Sequence, residues 1–198
     1  VDGSKCCRFS TSADTILQPS RTPCPVLTVA WRWEHAGLCW LLVALENDTQ
    51  APDFELLNQY GESVRLSDFR GRKAVALVFF PLAFSGTCTG ELCALRDNLA
   101  LFEDHRVELL GISVDSKFTL RAWAEQEGYS FSLLADFWPH GEIAKEYGVF
   151  LAEKGFANRA TFLIDERGII RQSFITAPGE ARSIEAYRAA LDRLPAHV

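Results

Sequence analysis

The chain of 198 residues contains no methionine, not even at position 1. Translation starts with methionine, so Val1 is expected to be either a GTG start written literally or the edge of a fragment. No apolar run approaches the length of about 20 residues that a membrane-spanning helix needs. No basic segment leads into a continuous apolar stretch with a small-residue cleavage site, so no secretory signal is read. Positive charge is in short supply: 20 Lys and Arg face 26 Asp and Glu, a net charge of −6. That balance argues against nucleic acid and anionic membrane as partners, since both call for basic patches. The six cysteines are Cys6, Cys7, Cys24, Cys39, Cys88 and Cys93, and no two are three residues apart. The C-x-x-C of a dithiol exchange protein is therefore missing. Four of the six lie in the first fifty residues, which is not the spread of a disulfide framework. A cytoplasmic, reducing compartment is expected, and the sequon Asn47-Asp48-Thr49 is expected to stay unused.

What remains is ample apolar material. A hydrophobic fraction of 48% supports a sizeable core, and the length suits one domain plus an extension. The first fifty residues mix Cys6-Cys7, Pro23, Pro25, Trp31, Trp33 and Trp40 without a sustained period, and only Ala36–Leu45 could be a helix or strand. Residues 1–42 are expected to be an N-terminal extension, non-native or disordered, and 43–198 the folded domain.

From Ala51 onward the pattern is regular. Pro52–Leu57 and Ser63–Leu66 read as short strands around the turn Tyr60-Gly61, and Ala74–Phe80 as a strand buried on both faces. Residues 89–104 show helical spacing through Leu92, Leu95, Leu99 and Phe102. A buried strand Val107–Val114 and a helix Thr119–Glu127 ended by Gly128 follow. Leu133–Ala135 is a short strand and Ile143–Tyr147 a short helix closed by Gly148. Thr161–Asp165 and Ile169–Phe174 flank the turn Glu166-Arg167-Gly168 as a hairpin, and Ser183 caps a last helix, Ser183–Leu194. Strand–helix alternation followed by a hairpin predicts an α/β domain with a mixed central sheet flanked by helices on both faces. Sites in such folds lie where strands end and helices begin.

Cys88 stands at such a point. A thiol attacks only as thiolate, and a helix N-terminus favours that charge through free N–H groups and the helix dipole. Pro81 ends the preceding strand, because it cannot donate to a sheet ladder. Gly86 is expected to let the chain turn, and Ser85 to hold its hydroxyl against the sulfur or an incoming oxygen. Glu91, three residues after Cys88, shares its helical face. Its carboxylate would oppose a thiolate unless a cation offsets it, and Arg159, at the start of a later strand, is the candidate. Taken alone, a buried cysteine is usually a small hydrophobe. The spacing P-x-x-x-S-x-x-C-x-x-E is what makes the set specific.

Pro81-Leu82-Ala83-Phe84-Ser85-Gly86-Thr87-Cys88 resembles the active-site loop of the peroxiredoxins, P-x-x-x-T/S-x-x-C. Glu91, Arg159, Ala51-Pro52-Asp53-Phe54 and Tyr147-Gly148-Val149 extend the resemblance. Asp136-Phe137-Trp138-Pro139-His140-Gly141 and Ala157-Asn158-Arg159-Ala160-Thr161-Phe162 are similar to the alkyl hydroperoxide reductase E type. The likeness spans roughly residues 43–194. It implies a thioredoxin-like fold and reduction of hydrogen peroxide and organic hydroperoxides by Cys88 through a sulfenic acid. It also implies that Arg159 and Ser85 stabilise charge as the O–O bond breaks, that Pro81 shields the sulfur and that Glu91 orients Arg159. A homodimer and a thiol reductant (thioredoxin, mycoredoxin or a low-molecular-weight thiol) are further implied, with no cofactor.

Cys93 is a separate question. Residues i and i+5 of an α-helix lie about 8–9 Å apart at Cα and point about 140° apart, whereas a disulfide needs Cα atoms closer than about 7 Å. Cys88 and Cys93 can join only if the helix unwinds. The C-x-x-x-x-C spacing resembles the Q-type (bacterioferritin co-migratory) peroxiredoxins, which implies that Cys93 resolves the sulfenic acid within the chain. The alternatives are a core role for Cys93 with an external thiol as resolver, or a non-catalytic, chaperone-like binder using the N-terminal segment. His105 and His140 are weighed as zinc ligands with the two thiols, but no second C-x-x-C or H-x-x-x-H accompanies them, and no metal is expected. Phe80, Leu82 and Phe84 are expected to form an apolar rim, and Trp138 to lie near the site and report on it.

Overall fold

The computed structural model of the chain describes residues 44–194. The expectations for residues 1–42 and for the run Ala36–Leu45 fall almost wholly outside these residues. The order is β1 (Glu55–Asn58), β2 (Ser63–Arg65), a 3-10 turn, β3 (Ala74–Phe79), α1 (Gly86–Asp97), α2 (Leu99–Asp104) and β4 (Val107–Ser113). Then come α3 (Lys117–Glu127), β5 (Ser132–Ala135), α4 (Glu142–Glu146), β6 (Phe150–Leu151), β7 (Phe156–Ala157), β8 (Arg159–Ile164), β9 (Ile170–Thr176) and α5 (Ile184–Leu191).

Seven strands form one mixed sheet in the order β2-β1-β5-β4-β3-β8-β9. β3, β4 and β5 run parallel, and β8 lies antiparallel to β3 on one side and to β9 on the other. The period of two along β3 divides the core. Val75, Leu77 and Phe79 face one layer with Ile143, Ala144 and Tyr147. Ala74, Ala76 and Val78 face the other, against Leu92 and Leu95 of α1, Leu120 and Trp123 of α3, and Tyr187 and Leu191 of α5. Helices therefore cover both faces, which is why β3 and β8 are buried along their whole length. Gly111 on β4 is required by packing: a Cβ there would stand 2.7 Å from Leu133 Cδ2.

The expected helix over residues 89–104 is two helices. The first begins earlier, at Gly86, because the Ser85 hydroxyl accepts from the Cys88 N–H at 3.4 Å and caps it. It ends at Asn98, whose side-chain amide donates to the Ala94 carbonyl at 2.9 Å and competes with the helical ladder. Ser183 caps α5 as expected, accepting from the Ala186 N–H. Gly128 closes α3 in the left-handed region at φ 72°.

Candidate active site

β3 ends at Phe79, and Pro81–Phe84 carry the chain across the carboxyl end of the sheet into α1. The loop is held from below by Asp115, which follows β4. Its Oδ2 accepts from the Ala83 N–H at 2.8 Å and from the Ser113 hydroxyl at 2.8 Å. The turn is not made by Gly86, which has no left-handed φ and open space where a Cβ would be. The left-handed residue is Phe84, at φ 62°, a strained choice for a bulky side chain. Pro81 and Cys88 are buried, and Ser85 is half-buried.

Cys88 is the third residue of α1, with its side chain wholly inside. Arg159, the first residue of β8, reaches it across the antiparallel β3/β8 pair. Arg159 Nη2 donates to Cys88 Sγ at 3.2 Å, Nη1 pairs with Glu91 Oε2, and Nε donates to the Pro178 carbonyl at 2.8 Å. Every edge of the guanidinium is thus fixed. Glu91, one helical turn after Cys88, also takes a second arginine: Arg182 Nε donates to Glu91 Oε1 at 2.5 Å. Arg182 further donates to Thr161 Oγ1 at 2.9 Å and to the Phe79 carbonyl at 3.0 Å. Thr161 in turn donates to the Tyr187 hydroxyl at 3.1 Å.

Glu91, Arg159 and Arg182 are 3%, 1% and 4% exposed. Isolated charges at such depth are costly, so they are held by one another. Two guanidiniums and one carboxylate leave one positive charge over, and a thiolate at Cys88 makes the buried set neutral. Burial opposes the charge on Arg182, but Tyr187, Glu91 and Cys88 around it hold its pKa above the ordinary arginine range. Burial also pushes the Tyr187 phenol up to about 12, so it stays neutral beside them.

Hydrogen bonds join Ser85, Cys88, Glu91 and Arg159, whereas Cys93 stands apart from them. Cys93 Sγ lies on another side of α1, 3.7 Å from Glu127 Oε2 and 3.7 Å from the Tyr129 hydroxyl. Both thiols are free. The rim needs correction: Leu82 and Phe84 are exposed, but Phe80 is fully buried under Trp123, because its ring follows the alternation of β3 into the core. The aromatic that approaches the loop is Trp123, with its ring centroid 6.1 Å from that of Phe84. Trp138 is 82% exposed beside Leu57, Phe118 and Phe137, not at Cys88. His105 and His140 face the backbone carbonyls of Leu101 and Gly155, at 2.8 and 2.7 Å. Among the described residues no three His, Cys, Asp or Glu side chains are grouped to hold a metal. Arg182 and Asp115 were not anticipated. Asp115 carried a usable signal, its place just past a buried strand. Arg182 sits before a helix cap far along the chain and carried none.

Residues 48–173 match the sequence model of the AhpC/TSA family. The chain is 49% identical over 146 residues to alkyl hydroperoxide reductase E of Mycobacterium tuberculosis (strain ATCC 25618 / H37Rv), covering 74% of this chain and 95% of that protein. It belongs to the AhpC/TSA family of peroxiredoxins. The fold agrees. The reduced 2-Cys peroxiredoxin of Plasmodium vivax superposes with a TM-score of 0.68 at 32% identity, covering 75% of this chain and 81% of that one. The peroxidoxin BcpB of Mycobacterium tuberculosis superposes with a TM-score of 0.67 at 28% identity, covering 77% and 99%. The peroxiredoxin chain has the thioredoxin-like fold with its mixed seven-stranded sheet, and it is a thiol-dependent peroxidase.

Proposed function

We propose that Cys88 is the peroxide-attacking thiolate and that its sulfenic acid is resolved by Cys93 in the same chain. The observation that carries the first part is Arg159 Nη2 at 3.2 Å from Cys88 Sγ, on a guanidinium that Glu91 and the Pro178 carbonyl keep from turning away. The thiolate attacks one peroxide oxygen, the O–O bond breaks, and the departing alkoxide or hydroxide takes a proton. Charge passes from sulfur to oxygen, and a cation fixed in advance stabilises both ends of that transfer. Ser85 acts by capping α1 at the Cys88 N–H, Pro81 by covering the sulfur, and Glu91 by orienting both arginines.

The second part rests on a second free thiol five residues away in a helix that starts only two residues before Cys88. Helix ends open at low free energy. A second reading, resolution by an external thiol, is favoured by the separate contacts of Cys93 with Glu127 and Tyr129 in the intact helix. In either case the reductant is a small thiol or a thioredoxin- or mycoredoxin-type protein, and free thiols suit a cytoplasmic, reducing compartment. The exposed aromatics Phe118, Phe137 and Trp138 line an apolar cleft of about 540 Å³ with Leu57, and a homodimer is proposed to cover them.

Steady-state consumption of hydrogen peroxide and of an organic hydroperoxide, with thioredoxin and its reductase as electron source, tests the assignment. Cys88→Ser should abolish turnover. Cys93→Ser should abolish it with thioredoxin and preserve it with an excess of small thiol. Turnover surviving in Cys88→Ser would refute the reading.

A further inference from the structure

The surroundings of Cys93 differ from those of Cys88 and are built from another helix. Glu127 is the last residue of α3, and Gly128 then turns the chain so that the Tyr129 N–H donates back to the Ala124 carbonyl at 3.0 Å. Both side chains are thereby brought to the same sulfur. Tyr129 is only 3% exposed and is locked between Trp123 and Phe131, with ring centroids at 5.1 and 5.4 Å. Arg96, three residues after Cys93, donates to the Glu127 carbonyl at 2.5 Å and ties the second half of α1 to the end of α3. The first turn of α1 is held by the 3.4 Å Ser85 cap and the Arg159 contact to Cys88, and the Glu91 pairs with Arg159 and Arg182 come only after it. Gly86, Thr87, Thr89 and Gly90 are poor helix formers. The unwinding that joins the thiols therefore falls on the first turn. Cys88 travels, and Cys93 stays between Glu127 and Tyr129.

The two neighbours of Cys93 are complementary. Toward the Glu127 carboxylate, which only accepts, the thiol is the donor, and its single hydrogen placed there leaves the Tyr129 hydroxyl to point its own hydrogen at the sulfur. We propose that Glu127 is the general base of the disulfide-forming step, taking the Cys93 proton while Tyr129 donates a hydrogen bond to the same sulfur. Burial, with the Cys93 contact adding to it, holds the Tyr129 phenol well above its usual range, so it keeps the proton it offers. This inference rests on the reading that Cys93 resolves a Cys88 sulfenic acid. The step balances without a further reagent. The Cys93 proton passes to Glu127, and the freed electron pair on its sulfur forms the bond to Cys88 Sγ. The S–O bond of the sulfenic acid breaks, and its oxygen leaves as water on taking a proton, which restores the carboxylate. The Cys88 sulfur is reduced from sulfenic acid to disulfide and the Cys93 sulfur is oxidised.

The experiment is a single turnover of the full chain. Reduced protein is mixed with one equivalent of hydrogen peroxide and quenched at intervals with an alkylating agent and a sulfenic-acid trap. Peptide mass spectrometry then gives Cys88 oxidation and the Cys88–Cys93 disulfide separately, from pH 5.5 to 8.5. Removing a positioned base is worth about 10²–10⁴ in rate. In Glu127→Gln the ratio of disulfide formation to Cys88 oxidation should fall at least about tenfold at pH 6.5 and climb steeply with pH, as hydroxide takes over from the carboxylate. Glu127→Asp, which keeps a base one methylene shorter, should be slower than the parent without acquiring the steep pH dependence of Glu127→Gln, and so separates basicity from packing. Tyr129→Phe should slow the step several-fold with the profile unchanged in shape. Disulfide formation in Glu127→Gln at the parent rate or faster, or a steep profile in Glu127→Asp, would overturn the assignment. So would a parent chain whose Cys88 is trapped as sulfenic acid while Cys93 stays reduced, an outcome that leaves the peroxidase reading standing. A Cys88 that does not oxidise at all would remove both.

Discussion

Replacing Arg159 with methionine removes the cation that donates to the Cys88 sulfur while keeping an unbranched chain of similar reach. Its magnitude can be bounded from the geometry. At the 3.2 Å separation of Nη2 and Sγ, an effective dielectric constant of about 20 gives an attraction of about 5 kcal/mol for the ion pair. Part of this returns through Arg182, which stays bound to Glu91. Loss of a single preorganised donor at a reacting charge usually costs about 2.7–4 kcal/mol. The second-order rate of Cys88 oxidation by peroxide should therefore fall by about 10²–10³ at pH 7. Arg159→Lys should recover only part of the loss, since one ammonium cannot span Glu91, the Pro178 carbonyl and the sulfur together. The assay is stopped-flow tryptophan fluorescence, because Trp123 lies against Phe84 in the loop that carries the thiol. A loss smaller than tenfold in Arg159→Met would refute the reasoning, as would full recovery by lysine.

The other perturbations act on stability and assembly. Arg182→Met leaves Glu91 with one guanidinium and breaks a buried ion pair, so urea unfolding should report a loss of about 3–5 kcal/mol; a loss under about 1 kcal/mol would show that the pair is replaceable. Asp136 accepts from the Ile143 and Ala144 N–H groups at the start of α4, and burial pushes its pKa up to about 6. The folded state then binds its proton more tightly than the unfolded chain, so its contribution is full below about pH 4 and is lost as pH rises through about 6. The stability of Asp136→Asn relative to the parent should accordingly increase between pH 4 and 6 and level off above, as read by urea midpoints; a flat difference would contradict the shift. Exchanging Phe118 and Trp138 together for serine should turn a dimer into monomer in light scattering, and an unchanged mass would place the interface elsewhere.

Much of this site was legible because its parts are local. The proline that stops β3, the serine that caps α1, the thiol three residues on and the carboxylate a turn later all sit within eleven residues. Periodicity could order them without knowledge of the fold. Arg159 was reachable because it opens a buried strand, where a charge needs a reason. Arg182 was not, since only the docking of α5 onto the sheet brings it to Glu91, 91 residues away in the chain. The break at Asn98 was hidden for a related reason. The apolar spacing continues through Leu99 and Phe102, and a side-chain hydrogen bond of Asn98, not the pattern, ends the helix. Phe80 reads as rim material from its place beside Pro81, but the alternation of β3 carries it inward.

The measurement closest to the central claim is a thiol map of the reduced protein after one equivalent of hydrogen peroxide, with a sulfenic-acid trap present from the start. The account predicts that oxidation begins at Cys88, as trapped sulfenic acid or as disulfide with Cys93. Peroxide consumed with Cys88 still reduced would contradict it.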